Sequence, residues 1–192
     1  MKLLLISNST NAGEEYLRYP LPEIGRFLDG VREVVFVPYA AVTFSYAEYE
    51  KKVQARFAEL GIRVRSVHRA KDPAALIRTA EAVCIGGGNT FSQLARLRAC
   101  GFDREVIRYA RRGVTYIGGC AGAHIATKNV EHVLPFDSNT AGITDFDALG
   151  LFDGILFCHY SEARRPYYEK AVAEGRYAVH ALTDDDTIVI RG

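Results

Sequence analysis

Cys120 is the residue of this chain best placed for nucleophilic chemistry. It stands in Tyr116-Ile117-Gly118-Gly119-Cys120-Ala121-Gly122-Ala123-His124, where an apolar run from Gly113 to Ile117 delivers the backbone to a Gly-x-Cys-x-Gly turn. Small residues then lead into a helix-compatible segment. This is the pattern of a nucleophile elbow: the reactive side chain sits between strand and helix in a strained conformation, and its neighbours must be Gly or Ala to avoid collision. The unpaired N–H groups and positive dipole end of the following helix would favour a thiolate and a developing oxyanion alike. The plain alternative is a buried structural cysteine in a glycine-rich turn.

A thiol that attacks an acyl carbon needs a base for its proton and N–H donors where the oxyanion forms. Of the five histidines, His124 lies one helical turn beyond the nucleophile and is expected to face away from the elbow mouth, whereas His68 follows a strand and could approach the rim. His159 follows Ile155-Leu156-Phe157-Cys158 and falls at the carboxyl end of a strand, where the base of an α/β hydrolytic site belongs. The remaining two are His132 and His180. Gly86-Gly87-Gly88 is the candidate second donor loop, because a backbone without side chains can approach a bound carbonyl. The same loop could cradle a phosphate, but no Walker lysine follows it and no dinucleotide fingerprint is present. For the acid that orients the histidine, Asp137, Asp145, Asp147, Glu162, Asp184 and Asp185 all lie in the later, loop-rich part, and spacing does not choose among them.

The elements that must hold these residues read as strand and helix in alternation. Leu3 to Ser7 is a short apolar run of the kind buried on both faces of a sheet. Helices are expected over 20–28, 47–60, 74–80, 92–100 and 104–112, with strands at 34–37, 62–67, 82–85 and 114–117 between them. That order predicts an α/β fold, a mostly parallel sheet with helices on both faces, as a single domain over 1–192. Beyond the elbow the pattern loosens: Pro135 to Gly150 is turn-rich, 154–159 is a strand, 167–173 a helix, and 178–182 with 187–190 a closing hairpin. Ligands on such sheets gather beyond the carboxyl ends of the strands. The rule brings together the Ser7-Asn8-Ser9-Thr10 loop, the 38–43 loop, the glycine loop and Cys120.

The 24 basic and 23 acidic residues nearly cancel, which leaves no electrostatic case for nucleic acid or an anionic membrane as partner. The opening apolar run is too short for a signal-peptide core or a membrane span. Cys84, Cys100, Cys120 and Cys158 have neither metal-site spacing nor the density of a disulfide scaffold, so a reducing cytoplasm is expected, with no metal and no cofactor. Phe44, Tyr46 and Tyr49 form an aromatic cluster that would serve a homodimer face or a core equally well.

Taken together, Leu3-Leu4-Leu5-Ile6-Ser7-Asn8-Ser9-Thr10, Pro38-Tyr39-Ala40 before Val42-Thr43, Gly86-Gly87-Gly88-Asn89-Thr90-Phe91, the elbow, Phe146-Asp147-Ala148-Leu149-Gly150-Leu151-Phe152 and the His159 strand resemble the peptidase E family of α-aspartyl dipeptidases, related to cyanophycinase. The resemblance implies a flavodoxin-like, class I glutamine-amidotransferase-like fold. It also implies Cys120 as nucleophile, His159 as base, Asp137 as orienting acid, and Gly88 and Ala121 as oxyanion donors. Asn89 and Thr90, with Arg165 after the histidine strand, would contact a short peptide carrying an N-terminal aspartate. The chain departs from the family in having cysteine where serine stands, in a longer Lys128 to Asp137 segment, and in a shorter stretch from His159 to Arg165.

The expected activity is therefore hydrolysis of short peptides, with preference for an N-terminal aspartate, through a thioacyl intermediate on Cys120. Two other classes stay open: a redox-sensing or protective protein using the elbow thiol, and a non-catalytic ligand-binding relative.

Overall fold

Alternation along short apolar strands decides the architecture. A computed structural model describes residues 1–192. In chain order the elements are β1 (Lys2–Ile6), α1 (Leu21–Phe27), β2 (Glu33–Val37), α2 (Tyr46–Ala58), β3 (Arg63–Ser66), α3 (Pro73–Arg78), β4 (Ala82–Ile85), α4 (Thr90–Ala99), α5 (Phe102–Arg111), β5 (Thr115–Gly119), α6 (Ala121–Ile125), β6 (Ile155–Phe157), α7 (Arg165–Glu174), β7 (Val179–Ala181) and β8 (Thr187–Arg191). Six strands form one sheet in the order β3-β2-β4-β5-β1-β8, parallel except for β8, which runs antiparallel to β1.

Successive strand residues feed opposite faces. Leu3, Leu5, Val35, Val37, Val83 and Ile85 join one core with residues of α3, α4, α5 and α6. Leu4, Ile6, Val34, Phe36, Ala82 and Cys84 join a second core with α1 and α2. Helices therefore cover both faces, because strands apolar on both sides leave no face to water. In α2, Tyr49, Val53 and Phe57 recur one turn apart and are buried, and the helix starts on a capping box between Ser45 and Glu48. No helix is long and apolar enough to cross a membrane.

The closing hairpin expected over 178–190 does not form. β7 instead pairs in parallel with β6, while β8 crosses to the free edge of β1. The edge strand β1 offers unpaired backbone groups, and Ile188 and Ile190 gain a core to pack against there, which a two-stranded hairpin would not supply. The crossing loop is closed by Asp186, whose carboxylate accepts from Thr183 N at 2.6 Å and Thr183 Oγ1 at 2.7 Å. It carries Asp184 past the carboxyl end of β6.

Candidate active site

β5 runs straight into the elbow. Cys120 N donates to Ile6 O at 2.8 Å, continuing the ladder to β1, and the Cys120 carbonyl accepts from Ala123 N and His124 N at 2.9 Å each as α6 begins. Between these anchors Cys120 takes φ 46° and ψ −103°, a conformation that costs an L-residue roughly 1–3 kcal/mol and persists because both sides over-determine it. A side chain on Gly122 would drive into Ile85 O, so only glycine lets α6 lie this close to β4. Gly88, at φ +127°, is fixed likewise: a Cβ there would meet Ala40 O. The four loops that the strand-end rule gathers do meet, since Gly87 packs against Ser9 and Cys120 and Asn89 N donates to Ala40 O at 2.9 Å.

His159 reaches the sulfur. Its Nε2 lies 3.2 Å from Cys120 Sγ, and its Nδ1 lies 2.6 Å from Asp184 Oδ1. Two devices aim the ring. The backbone turns at His159 with φ 54°, and the His159 N–H donates to Ser7 Oγ at 2.9 Å while that hydroxyl donates to Leu182 O at 3.1 Å. Tyr160 N in turn donates to Leu182 O at 2.8 Å, locking the ends of β6 and β7 together. Ser7 is wholly buried, so the ring is positioned from the end of β1.

Asp137 does not orient His159. Its Oδ2 accepts from Thr90 N at 2.7 Å at the start of α4, because the loop after the Glu131–Val133 turn docks on that helix rather than beside β6. Its charge is still felt at the sulfur. Burial first, then Asp137, pushes the Cys120 thiol up to about 11, while the backbone N–H groups of Gly88 and Ala121 pull the other way. Desolvation of the thiolate thus outweighs the helix and the donors, and the resting group is a thiol.

Asn89 and Thr90 are spent on structure. Asn89 caps α4 by accepting from Ser92 N at 2.8 Å and donates to Ser138 O at 2.9 Å; buried Thr90 pairs Oγ1 with His124 Nδ1 at 3.2 Å. Arg165 points outward and ion-pairs with Glu162 at 3.0 Å and Glu169 at 3.1 Å. Its neighbour Arg164 turns inward instead, donating to Cys158 O at 2.8 Å with its guanidinium 4.1 Å from the Phe136 ring centroid, and its charge lowers the Cys120 pKa. Sequence reading missed Arg164, and the signal was only its place one residue before the helix and Pro166. His68 is held by Ser66 Oγ at 2.6 Å, away from Cys120. No three His, Cys, Asp or Glu side chains converge to hold a metal ion.

The profile of peptidase family S51 matches residues 3–192. The chain belongs to that family. Peptidase E of Salmonella typhi is 42% identical over 166 residues, covering 85% of this chain and 70% of that one, and peptidase E of Citrobacter koseri is 40% identical over the same lengths. Among solved structures, a protein assigned to peptidase E in Listeria monocytogenes EGD-e superposes with a TM-score of 0.80 at 25% identity, covering 100% of this chain and 94% of that one. A peptidase from an acI-B1 actinobacterium shares the fold with a TM-score of 0.73 at 14% identity, covering 99% and 83%. Membership supports a peptidase function, and the elbow, the glycine loop and the His159 strand are where the sequence places them.

Behind the S51 elbow two histidines, buried His124 and half-buried His132, have depressed pKa values. Burial holds His124 well below the usual imidazole range, with His132, His159 and Arg164 adding to the effect. Burial takes His132 down to about 4 against the opposing bond of its Nε2 to Leu156 O at 2.7 Å. A depressed histidine stabilises the fold above its unfolded pKa and loses that contribution as pH falls. From about pH 6.5 to about pH 4 the unfolded chain takes up protons that the folded chain refuses, so His132 alone should remove about 3 kcal/mol. Urea melts at about pH 7 and about pH 4.5 should show the drop, and a smaller drop is expected in His132→Phe.

Proposed function

We propose that this S51 member is a cysteine-nucleophile peptidase that cleaves short peptides after a free N-terminal aspartate. One observation carries the reading: Cys120 Sγ, His159 Nε2 and Nδ1, and Asp184 Oδ1 stand in line at 3.2 and 2.6 Å. His159 Nε2 takes the thiol proton as sulfur bonds to the carbonyl carbon, and the oxyanion meets the Gly88 and Ala121 N–H groups. Asp184 stabilises the imidazolium, which gives its proton to the departing amine as the C–N bond breaks. Water, deprotonated by His159, then adds to the thioester carbonyl; the C–S bond breaks, the acyl half leaves as a carboxylic acid, and the imidazolium returns its proton to the Cys120 sulfur.

The acyl half of the substrate meets opposite charges. Asp137 lies close enough to raise the Cys120 pKa and suits an α-ammonium, while Arg164 lies close enough to lower it and suits a β-carboxylate. Both are carried on the α4 and α7 side. A thiol held at about 11 resists oxidation at neutral pH, which speaks against redox sensing. A cytoplasmic location, where its four free cysteines stay reduced, goes with this reading.

The test is a panel of dipeptides with varied first residues, run before and after alkylation of Cys120. Asp-first dipeptides should be cleaved, their N-acetylated forms should not, and alkylation should stop turnover. Failure to cleave any member, or turnover that survives alkylation, overturns the reading.

A further inference from the structure

On the α2 side of Cys120 an open cavity of about 620 Å³ is walled by Ser9, Tyr16, Phe44, Tyr49, Lys52 and the nucleophile itself. That volume falls in the range of small-molecule sites. Its polar groups are unequally committed. Buried Arg56 ion-pairs with Glu15 at 2.8 Å and with Glu59, and donates to Tyr16 O at 2.9 Å, so its charge is used within the fold. Tyr49 OH donates to Gly87 O at 3.0 Å and meets Tyr16 OH at 3.1 Å. Lys52 is different. Its ammonium rests 4.8 Å from the Phe44 ring centroid with no ion-pair partner, and the carboxylate one turn back, Glu48, is held by Ser45 N and Ser45 Oγ at 2.8 Å each.

Two further features border the cavity. Ser9 Oγ is buried in a residue only 9% exposed, stands between Gly87 and Gly119 beside the nucleophile, and has the Tyr16 hydroxyl as its polar side-chain neighbour. Phe44 leaves an aromatic face 38% exposed at the cavity.

Resting on the peptidase reading, we propose that this cavity is the subsite of the leaving residue, where Lys52 meets its carboxylate and Phe44 selects an aromatic or large aliphatic side chain. The charges suited to an N-terminal aspartate lie on the opposite side of Cys120, with Asp137 and Arg164, which leaves the cavity to the amine half. Lys52 pairs with the free carboxylate, Phe44 and Tyr16 contact the side chain, and Ser9 Oγ accepts the scissile N–H.

Steady-state kinetics on Asp-Phe, its C-terminal amide, Asp-Ala and Asn-Phe test this with the full chain. Lys52→Met should cut the preference for Asp-Phe over its amide about tenfold, through KM rather than kcat, and Phe44→Ala should cut the preference for Asp-Phe over Asp-Ala about tenfold. Ratios that do not move overturn the proposal. So does a Lys52→Met protein whose changed preference is for Asp over Asn at the first residue, which would put the acyl half in the cavity. A wild-type protein that cleaves no dipeptide counts against the peptidase reading instead, and the cavity is then decided by binding. Free phenylalanine should slow alkylation of Cys120 in the wild type and do so more weakly in Lys52→Met; no protection in the wild type overturns the subsite.

Discussion

Asp184→Asn should lower kcat on the best dipeptide roughly a hundredfold to a thousandfold with little change in KM, while Asp137→Asn should act mainly on KM. The asymmetry comes from where each carboxylate is tied. Asp184 Oδ1 sits 2.6 Å from His159 Nδ1, so it keeps a proton on that nitrogen and leaves the Nε2 lone pair facing Cys120. Asparagine can present its NH2 to Nδ1 and select the wrong tautomer, a defect worth up to about 10⁴ in a fully buried triad. Here the Asp184 side chain is 55% exposed, and water replaces part of its electrostatic work, which sets the smaller figure. Asp137→Asn keeps an oxygen for Thr90 N and loses only the charge. It should weaken binding of the substrate ammonium and also let the Cys120 thiol ionise more easily, read as alkylation by iodoacetamide that accelerates at lower pH than in the wild type. If Asp137→Asn costs more kcat than Asp184→Asn, the assignment of the two acids is reversed.

That assignment marks the boundary of what the amino-acid sequence discloses. Cys120 and Gly88 were legible because each follows a strand of the parallel sheet, and the carboxyl ends of such strands converge whatever the intervening loops do. His159 also follows a strand, but β6 pairs only with β7, and its ring is brought to the site by Ser7 at the end of β1. The acid was not legible for the opposite reason. Asp184, Asp185 and Asp186 are consecutive in a loop, and the fold gives them three unrelated partners: His159, the Asn11 side chain at 2.7 Å, and Thr183. Only the pairing of β7 with β6, a contact between segments more than twenty residues apart, selects the first of them. A hairpin reading of the same residues would have carried that loop elsewhere. Arg164 and Arg165 pose the same problem at shorter range. They are chemically equal neighbours, but one precedes the helix and turns in over Phe136, while the other opens α7 and meets Glu169 one turn on. Local preferences set the elements, and the side-chain roles were settled by long-range packing.

Cys120→Ala should abolish turnover, by at least about 10⁴-fold, with the thermal midpoint almost unmoved, since alanine meets the same positive φ and fits the same space. Cys120→Ser separates two ways of using sulfur. In a thiolate–imidazolium site the nucleophile is ionised before substrate arrives, and a hydroxyl cannot take its place. Here burial and Asp137 hold the thiol at about 11, so at neutral pH His159 must remove the proton during attack, as it would from a hydroxyl. The oxyanion donors, the ring orientation from Ser7 and the Asp184 contact are all indifferent to the exchange of sulfur for oxygen. Cys120→Ser is therefore expected to keep turnover within about a hundredfold of the wild type on Asp-first dipeptides. A serine variant with no measurable turnover, together with a wild-type thiol that titrates below about pH 7, would mean that the sulfur works as a standing thiolate and that burial does not control this site.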